Sequence, residues 1–321
     1  MRIILLSICL SFISAAGFGQ QKDTLIRKLD SLSQKTDSAG KQINNTMEAA
    51  YNPQTILTFK TYFLLLGSNI KQSFTKPFHM TGKDWGKFGA FAIAAGGLSL
   101  ADETIQKEAL RFRNRNPKVI KVGRFITNFG GIYEGYTLAA LGTYGFLFKN
   151  QKLKTTTLLS TQAYLTGGLV ESVLKTLTGR TRTNYYDPSK EAEPSFKGPF
   201  ANVSKDFLGR RSNSSFPSGH ATVAFAAATV FAMEYKSTIW VPVVSYTAAS
   251  LISVSRITEN KHWTTDIFVG AMLGYLTGRQ IVNNYHRYAK LKAPQQPKNT
   301  VSFNMFYNQS HMEPGIVYSF R

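Results

Sequence analysis

SRITENKHWTTD, residues 255–266, sets an arginine six residues before a histidine and an aspartate four residues after it. If a helix begins near Trp263, His262 and Asp266 lie one turn apart on one face. A carboxylate there accepts the Nδ1 proton of the imidazole, which fixes the tautomer and leaves Nε2 bare and nucleophilic. Arg256 is placed to bind an oxyanion beside that nitrogen. Taken alone, the stretch has an ordinary alternative: a surface helix start with a capping aspartate.

Two further stretches shift that balance. FPSGHA, residues 216–221, opens an apolar run. Ser218 has the chemistry of an N-cap and Gly219 stands as the first helical residue. Free N–H groups at a helix start bind phosphate, and a glycine lets the anion approach the backbone. His220 then stands beside the anion, placed to protonate a leaving oxygen. KTLTGRTR, residues 175–182, closes another apolar stretch. Gly179 is expected to end that helix, so that Lys175 and Arg182 converge on the same anion.

The three stretches resemble the signature motifs of the type 2 phosphatidic acid phosphatase and vanadium haloperoxidase superfamily. Its motifs are Lys, six residues, Arg-Pro; Pro-Ser-Gly-His; and Ser-Arg, five residues, His, three residues, Asp. This chain has Lys175 and Arg182, then Pro217-Ser218-Gly219-His220, then Ser255-Arg256, His262 and Asp266, in the family's order and spacing. Thr183 stands where the family has proline, which bears on the path after Arg182 and not on the two cations. The resemblance covers about residues 85–285. It implies an all-α, six-helix core bundle and hydrolysis of a phosphate or pyrophosphate ester through a phosphohistidine, without metal or cofactor. In that scheme His262 attacks, Asp266 orients it and His220 protonates the leaving group. Lys175, Arg182, Arg256, Ser218 and Gly219 hold the phosphoryl oxygens. The same cage serves a vanadate-dependent haloperoxidase, with His262 as the vanadate ligand. A third reading, a non-catalytic envelope scaffold, fits poorly with intact signature residues.

Bulk properties narrow the field. The chain has 321 residues, with 38 Lys+Arg against 18 Asp+Glu, a formal charge of +20. That field favours anionic partners. No nucleic-acid module is present, so phosphate esters, lipid phosphates foremost, and the membrane surface lead as partners. Nothing fixes an oligomeric state. The single cysteine, Cys9, lies in the targeting segment, which leaves no thiol nucleophile or cysteine ligand in the mature chain. No cluster has convincing metal-ligand spacing.

Taken in order, residues 1–19 read as a signal peptide with Arg2, an apolar Ile3–Ile13 and a small-residue end. The protein is therefore expected to be exported to the periplasm or the periplasmic side of the envelope. Residues 20–80 read as polar linker and amphipathic segment, residues 81–290 as the helical domain and residues 291–321 as a β-hairpin tail. Thr81–Asp84 has capping-box spacing. Helices are expected near 83–104, 124–148, 153–178, 219–235, 238–254 and 263–285, with a basic connection over 105–124. Residues 183–216 read as a lid or substrate-selecting loop. In the tail, Val301, Phe303 and Met305 and then Ile316, Tyr318 and Phe320 alternate with polar residues, with a turn at Pro314-Gly315. His79, His286 and His311 read as structural, Arg210 and Arg211 as exposed charge, and Tyr185 and Tyr186 as packing or groove residues. The apolar runs are mostly 12–14 residues long. A membrane span needs about 20, so a folded bundle resting on a membrane is favoured over an integral one.

Overall fold

A computed structural model describes residues 24–34, 42–185, 193–203, 211–292, 300–308 and 311–319. The signal-peptide reading, Arg210, Tyr186 and Phe320 lie outside them. Among the described residues there are ten α-helices and a two-stranded ribbon. The helices are α1 (Thr24–Gln34), α2 (Phe59–Thr75), α3 (Gly82–Ser99), α4 (Asp102–Arg115), α5 (Pro117–Asn128), α6 (Ile132–Leu147), α7 (Gln151–Thr178), α8 (Gly219–Glu234), α9 (Trp240–Thr258) and α10 (Thr264–Lys292). The all-α expectation holds.

Local chemistry sets the helix ends. The Thr81 capping box forms, with the Thr81 side chain accepting from Asp84 N and the Asp84 carboxylate accepting from Thr81 N. Asn150 caps α7 through Leu153 N. Gly179 ends α7 in the left-handed region at φ 56°. A side chain there would also run into Gly198 O, so glycine is required twice over.

Several elements depart from expectation. The basic stretch 105–124 is helical: α4 and α5 are separated only at Asn116-Pro117, where proline can open a helix but not continue one. The expected helices at 83–104 and 124–148 are each broken, the first near Leu100-Ala101 and the second at Phe129–Gly131. Two parts of the expected linker, Thr24–Gln34 and Phe59–Thr75, are helices whose Leu29 and Leu65 are buried in the core. Each such leucine contributes about 1.5–3 kcal/mol on burial, one part of what opposes the entropy cost of ordering these segments. In the tail, β1 (Thr300–Asn308) and β2 (His311–Ser319) pair antiparallel, so the reversal falls between Asn308 and His311 and not at Pro314-Gly315. Pro314 sits opposite Met305 instead, which a two-stranded ribbon allows because each strand keeps one free edge.

α7, α8 and α10 form the centre. Leu159, Ala163, Ala226, Val230, Ile281 and Val282 meet there, joined by Leu29, Leu57 and Leu65. A buried amide layer crosses the same region: Asn284 donates to Asn69 and Gln72, each at 2.7 Å, and Asn69 donates to Gln162 at 3.0 Å. Gln162 thus faces the interior of the bundle. Tyr51 donates to Glu234, whose other oxygen lies 3.0 Å from His286 Nε2, so His286 ties α10 to the end of α8.

Backbone contact fixes the central pair. A Cβ on Gly270 would stand 2.6 Å from Ser218 O, and one on Gly278 2.5 Å from Ala226 O; one on Gly274 would overlap Thr222 O. Only bare α-carbons at these three positions, four residues apart on α10, let α8 come this close. Gly274→Ala should therefore destabilise the protein by about 1–3 kcal/mol in urea unfolding. Gly168→Ala, where an added Cβ meets open space, should be neutral or stabilising by up to about 1 kcal/mol.

Candidate active site

The site lies where α7 ends and α8 and α10 begin. Ser218 caps α8: its hydroxyl oxygen accepts from Ala221 N at 3.5 Å, and its own N–H donates to Asp266 O at 2.9 Å. The starts of α8 and α10 are therefore joined directly. Gly219 packs on the end of α7. A Cβ there would stand 2.7 Å from Glu171 Oε1 and 3.4 Å from Lys175 Nζ, so a side chain would displace the ion pair that these two residues form.

Asp266 is fully buried and accepts from every side. Arg180 Nη1 donates to Oδ1 at 2.7 Å, and Oδ2 accepts from Ser215 Oγ at 2.5 Å and from Trp263 N at 2.9 Å. Burial pushes the Asp266 carboxyl up; Arg180 is the strongest influence pulling it back. Arg180 is itself buried and spans two carboxylates, with Nη2 donating to Asp102 at 2.7 Å. Asp102 Oδ1 also accepts from Thr265 N at 2.9 Å, tying α4 to the first turn of α10. The guanidinium packs over Trp263 and Phe196.

His262 is 1% exposed. Its Nδ1 is 3.5 Å from Asp266 Oδ2 and has no hydrogen-bond partner. The expected ring–carboxylate bond is thus a looser contact, because the Asp266 oxygens are already engaged by Arg180, Ser215 and Trp263. Burial, and then the charges of Arg182, Lys175 and Arg256, hold the ring well below the usual histidine range. His220 faces the same cations. Burial and then Arg256, Lys175 and Arg182 lower it to about 3. The turn between α5 and α6 covers it: a Cβ on Gly131 would lie 3.7 Å from His220 Nε2.

Each cage cation is held in place. Lys175 pairs with Glu171 one turn earlier on α7. Arg182 donates to Ser214 Oγ and to Ser214 O, both at 3.1 Å. Arg256, 7% exposed, pairs with Glu259 at 2.8 Å and reaches Thr127 Oγ1 at 3.3 Å. Burial lowers all three, Arg256 to about 10. The segment after Arg182 folds back on the site: Arg182 N donates to Ser212 O, and Ser215 N donates to Arg180 O, both at 2.9 Å. Parts of the expected lid, 186–192 and 204–210, lie outside the described residues.

The fold thus brings Lys175, Arg182, Ser218, Gly219, His220, Arg256, His262 and Asp266 to one place. Sequence reasoning missed Arg180, Asp102, Glu171 and Ser215. For Glu171 a signal existed in its i, i+4 spacing from Lys175. Arg180 stood in plain view between Gly179 and Arg182. Asp102 and Ser215 carry no local pattern. Removing Arg180 leaves two buried carboxylates without their shared cation. Arg180→Gln should cost about 3–5 kcal/mol at neutral pH. The deficit should shrink in acid, as Asp266, deprived of its cation, takes up a proton; urea unfolding of both forms across pH measures it.

The chain matches the PAP2 superfamily over residues 156–289. It is 42% identical over 87 residues to the lipid A 1-phosphatase of Porphyromonas gingivalis, covering 25% of this chain and 20% of that protein. It is 29% identical over 160 residues to lipid phosphate phosphatase 1 of Arabidopsis thaliana, covering 42% and 49%. The matches thus span less than half the length of these two relatives. Among solved structures, a transmembrane PAP2-type phosphatidylglycerolphosphate phosphatase from Bacillus subtilis superposes with a TM-score of 0.43 at 22% identity, covering 60% of this chain and 91% of that one. Aquifex aeolicus LpxE gives 0.38 at 24% identity, covering 53% and 90%. The span matched to the PAP2 superfamily, residues 156–289, holds all three motifs.

Proposed function

We propose that this protein is a phosphatase that hydrolyses a lipid phosphate or pyrophosphate ester through a phosphohistidine, without a metal. The observation that carries the reading is His262: a buried imidazole held neutral, facing a fixed carboxylate and ringed by Lys175, Arg182 and Arg256. A neutral ring keeps its lone pair for attack, and the cations stabilise charge on the transferring phosphoryl group. His262 Nε2 attacks phosphorus in line while the bond from phosphorus to the leaving oxygen breaks. Ser218 and the Gly219 N–H, with the three cations, hold the other oxygens. His220 gives its proton to the departing alkoxide. Water then attacks the phosphohistidine, His220 takes its proton, the phosphorus–nitrogen bond breaks and inorganic phosphate leaves.

A lipid substrate is supported by the names of both curated relatives and by the surface. No helix among the described residues is long and apolar enough to cross a membrane. Yet Trp85, Phe88 and Ile93 on α3 and Trp240, Val244 and Leu251 on α9 are exposed. A groove lined mainly by Ile105, Ala109, Phe112, Val254 and Ile257 runs between α4 and α9; we assign it to an acyl chain of the substrate. We read the enzyme as exported, working at the envelope.

The purified chain should release phosphate from lipid phosphates. Vanadate should inhibit it and EDTA should not. His262→Gln should reduce turnover to background and remove the acid-labile phosphate trapped on the wild-type protein. Full activity in that variant overturns the mechanism. Bromide oxidation with vanadate and peroxide, in place of phosphate release, would move the reading to a haloperoxidase.

His220 provides a second test. At about 3 its ring is neutral in the free protein through the physiological range, whereas a general acid must carry a proton. A bound dianion beside it offsets the cations that depress it, so its pKa should rise when vanadate or phosphate binds. NMR titration with and without the anion measures the shift. His220→Ala should cost about 10²–10⁴-fold on alkyl phosphates and much less on p-nitrophenyl phosphate, whose leaving group needs little protonation. Equal losses on both would remove His220 from the acid role.

A further inference from the structure

Beside the site, α5 presents a surface that the chemistry above does not use. Residues 116–133 contain no acidic side chain and carry Lys118, Lys121 and Arg124, all exposed. The inner stripe of α5 is fixed to the site helices. Gly123 packs against Thr258 and Glu259, and Thr127 Oγ1 lies 2.6 Å from Ser255 Oγ and 3.3 Å from Arg256 Nη1. The outer stripe is aromatic. Phe125 and Phe129 meet edge to face at 5.4 Å, and Phe129 and Tyr133 at 5.7 Å, running from α5 across the turn that covers His220 and into α6. Phe125 is 63% exposed and its neighbour Val122 55%.

Solvent alone gives no reason for a ladder of rings on a cationic helix. A bilayer surface does: rings sink to the headgroup level, while lysine and arginine extend along them to lipid phosphates. An acidic protein partner would satisfy the three charges but leaves the aromatic ladder without a matching requirement.

We propose that the exposed face of α5, continued through Phe129 and Tyr133 into α6, docks the protein on an anionic membrane and sets the site against the headgroups. It extends the lipid-phosphate reading by naming the surface and its charge. Lys118, Lys121 and Arg124 pair with anionic headgroups, and Val122 and Phe125 enter the interface.

Flotation of the purified full chain with vesicles of phosphatidylcholine, alone or mixed with phosphatidylglycerol, tests this. Wild type should prefer the anionic vesicles, and salt should weaken that preference. A Lys118→Gln, Lys121→Gln, Arg124→Gln variant should bind anionic vesicles about a hundredfold less tightly and neutral ones unchanged. Phe125→Ser should weaken binding to both. Both variants should hydrolyse p-nitrophenyl phosphate at the wild-type rate. The proposal is overturned if wild type shows no preference for anionic vesicles, or if the triple variant keeps it. Binding with the expected charge dependence, in a protein that hydrolyses no phosphate ester, would sink the proposed activity and leave the docking surface standing.

Discussion

The backbones of α8 and α10 touch, and the site exists because they do. Gly270, Gly274 and Gly278 present bare α-carbons to the carbonyls of Ser218, Thr222 and Ala226. Two helices this close can be joined by backbone as well as side chain at their shared end, as in the bond from Ser218 N to Asp266 O. Ser218 and His220 enter from one helix start, and His262 and Asp266 from the other. Helix starts also carry free N–H groups and the positive end of the helix dipole. The packing therefore brings two histidines and two anion-attracting backbone ends together in one step. α7 adds Lys175 from its last turn and Arg180 and Arg182 from just beyond it. Leu29, Leu65, Ile281 and the other core side chains hold the distant half of the same helices, so the apolar core and the polar site lie at different levels of one bundle.

Much of the site was legible because its chemistry is local. Pro217–His220 joins a helix cap to the residues proposed to hold phosphate within four positions, and His262 and Asp266 are one helical turn apart. Spacing of that kind survives in the chain without the fold. The Arg180 network was not legible, because it is a matter of distance in space: Asp102 and Asp266 are far apart in sequence and meet only through one guanidinium. The tightness around Asp266 was hidden for the same reason. Sequence offered a simple His262–Asp266 bond, whereas the carboxylate is shared among Arg180, Ser215 and the Trp263 N–H, and the ring stands off at 3.5 Å.

In the fold, the central helices α7, α8 and α10 were readable from their apolar runs and caps. The outer elements were not. α1 is polar in composition and α2 sets an apolar cluster among polar residues; both are helical where Leu29 and Leu65 find a core to enter. α4 and α5 read as a basic connection because seven lysines and arginines fall between Lys107 and Arg124, yet the stripe at Val119, Gly123 and Ile126 is spaced for a helix that lies on a neighbour. In both cases tertiary packing decided what local propensity left open.

Under the proposed mechanism, the charge arrangement would let one cage be stable empty and reactive when filled. Lys175, Arg180, Arg182 and Arg256 are matched by Glu171, Asp102, Asp266 and Glu259. With these carboxylates ionised and both histidines neutral, the empty site carries no net charge, and its cations are not left to repel one another in a buried space. The carboxylates are bonded directly to Lys175, Arg180 and Arg256. A phosphate dianion entering this neutral cage brings negative charge that nothing there cancels, and the group best placed to answer it by taking a proton is His220. Its free-state value of about 3 reflects burial and the three cations around it, and the dianion opposes that second influence directly. On the proposed mechanism the substrate would charge its own general acid: the proton needed by the leaving oxygen would arrive because phosphate has bound, and the empty site has no reason to hold it.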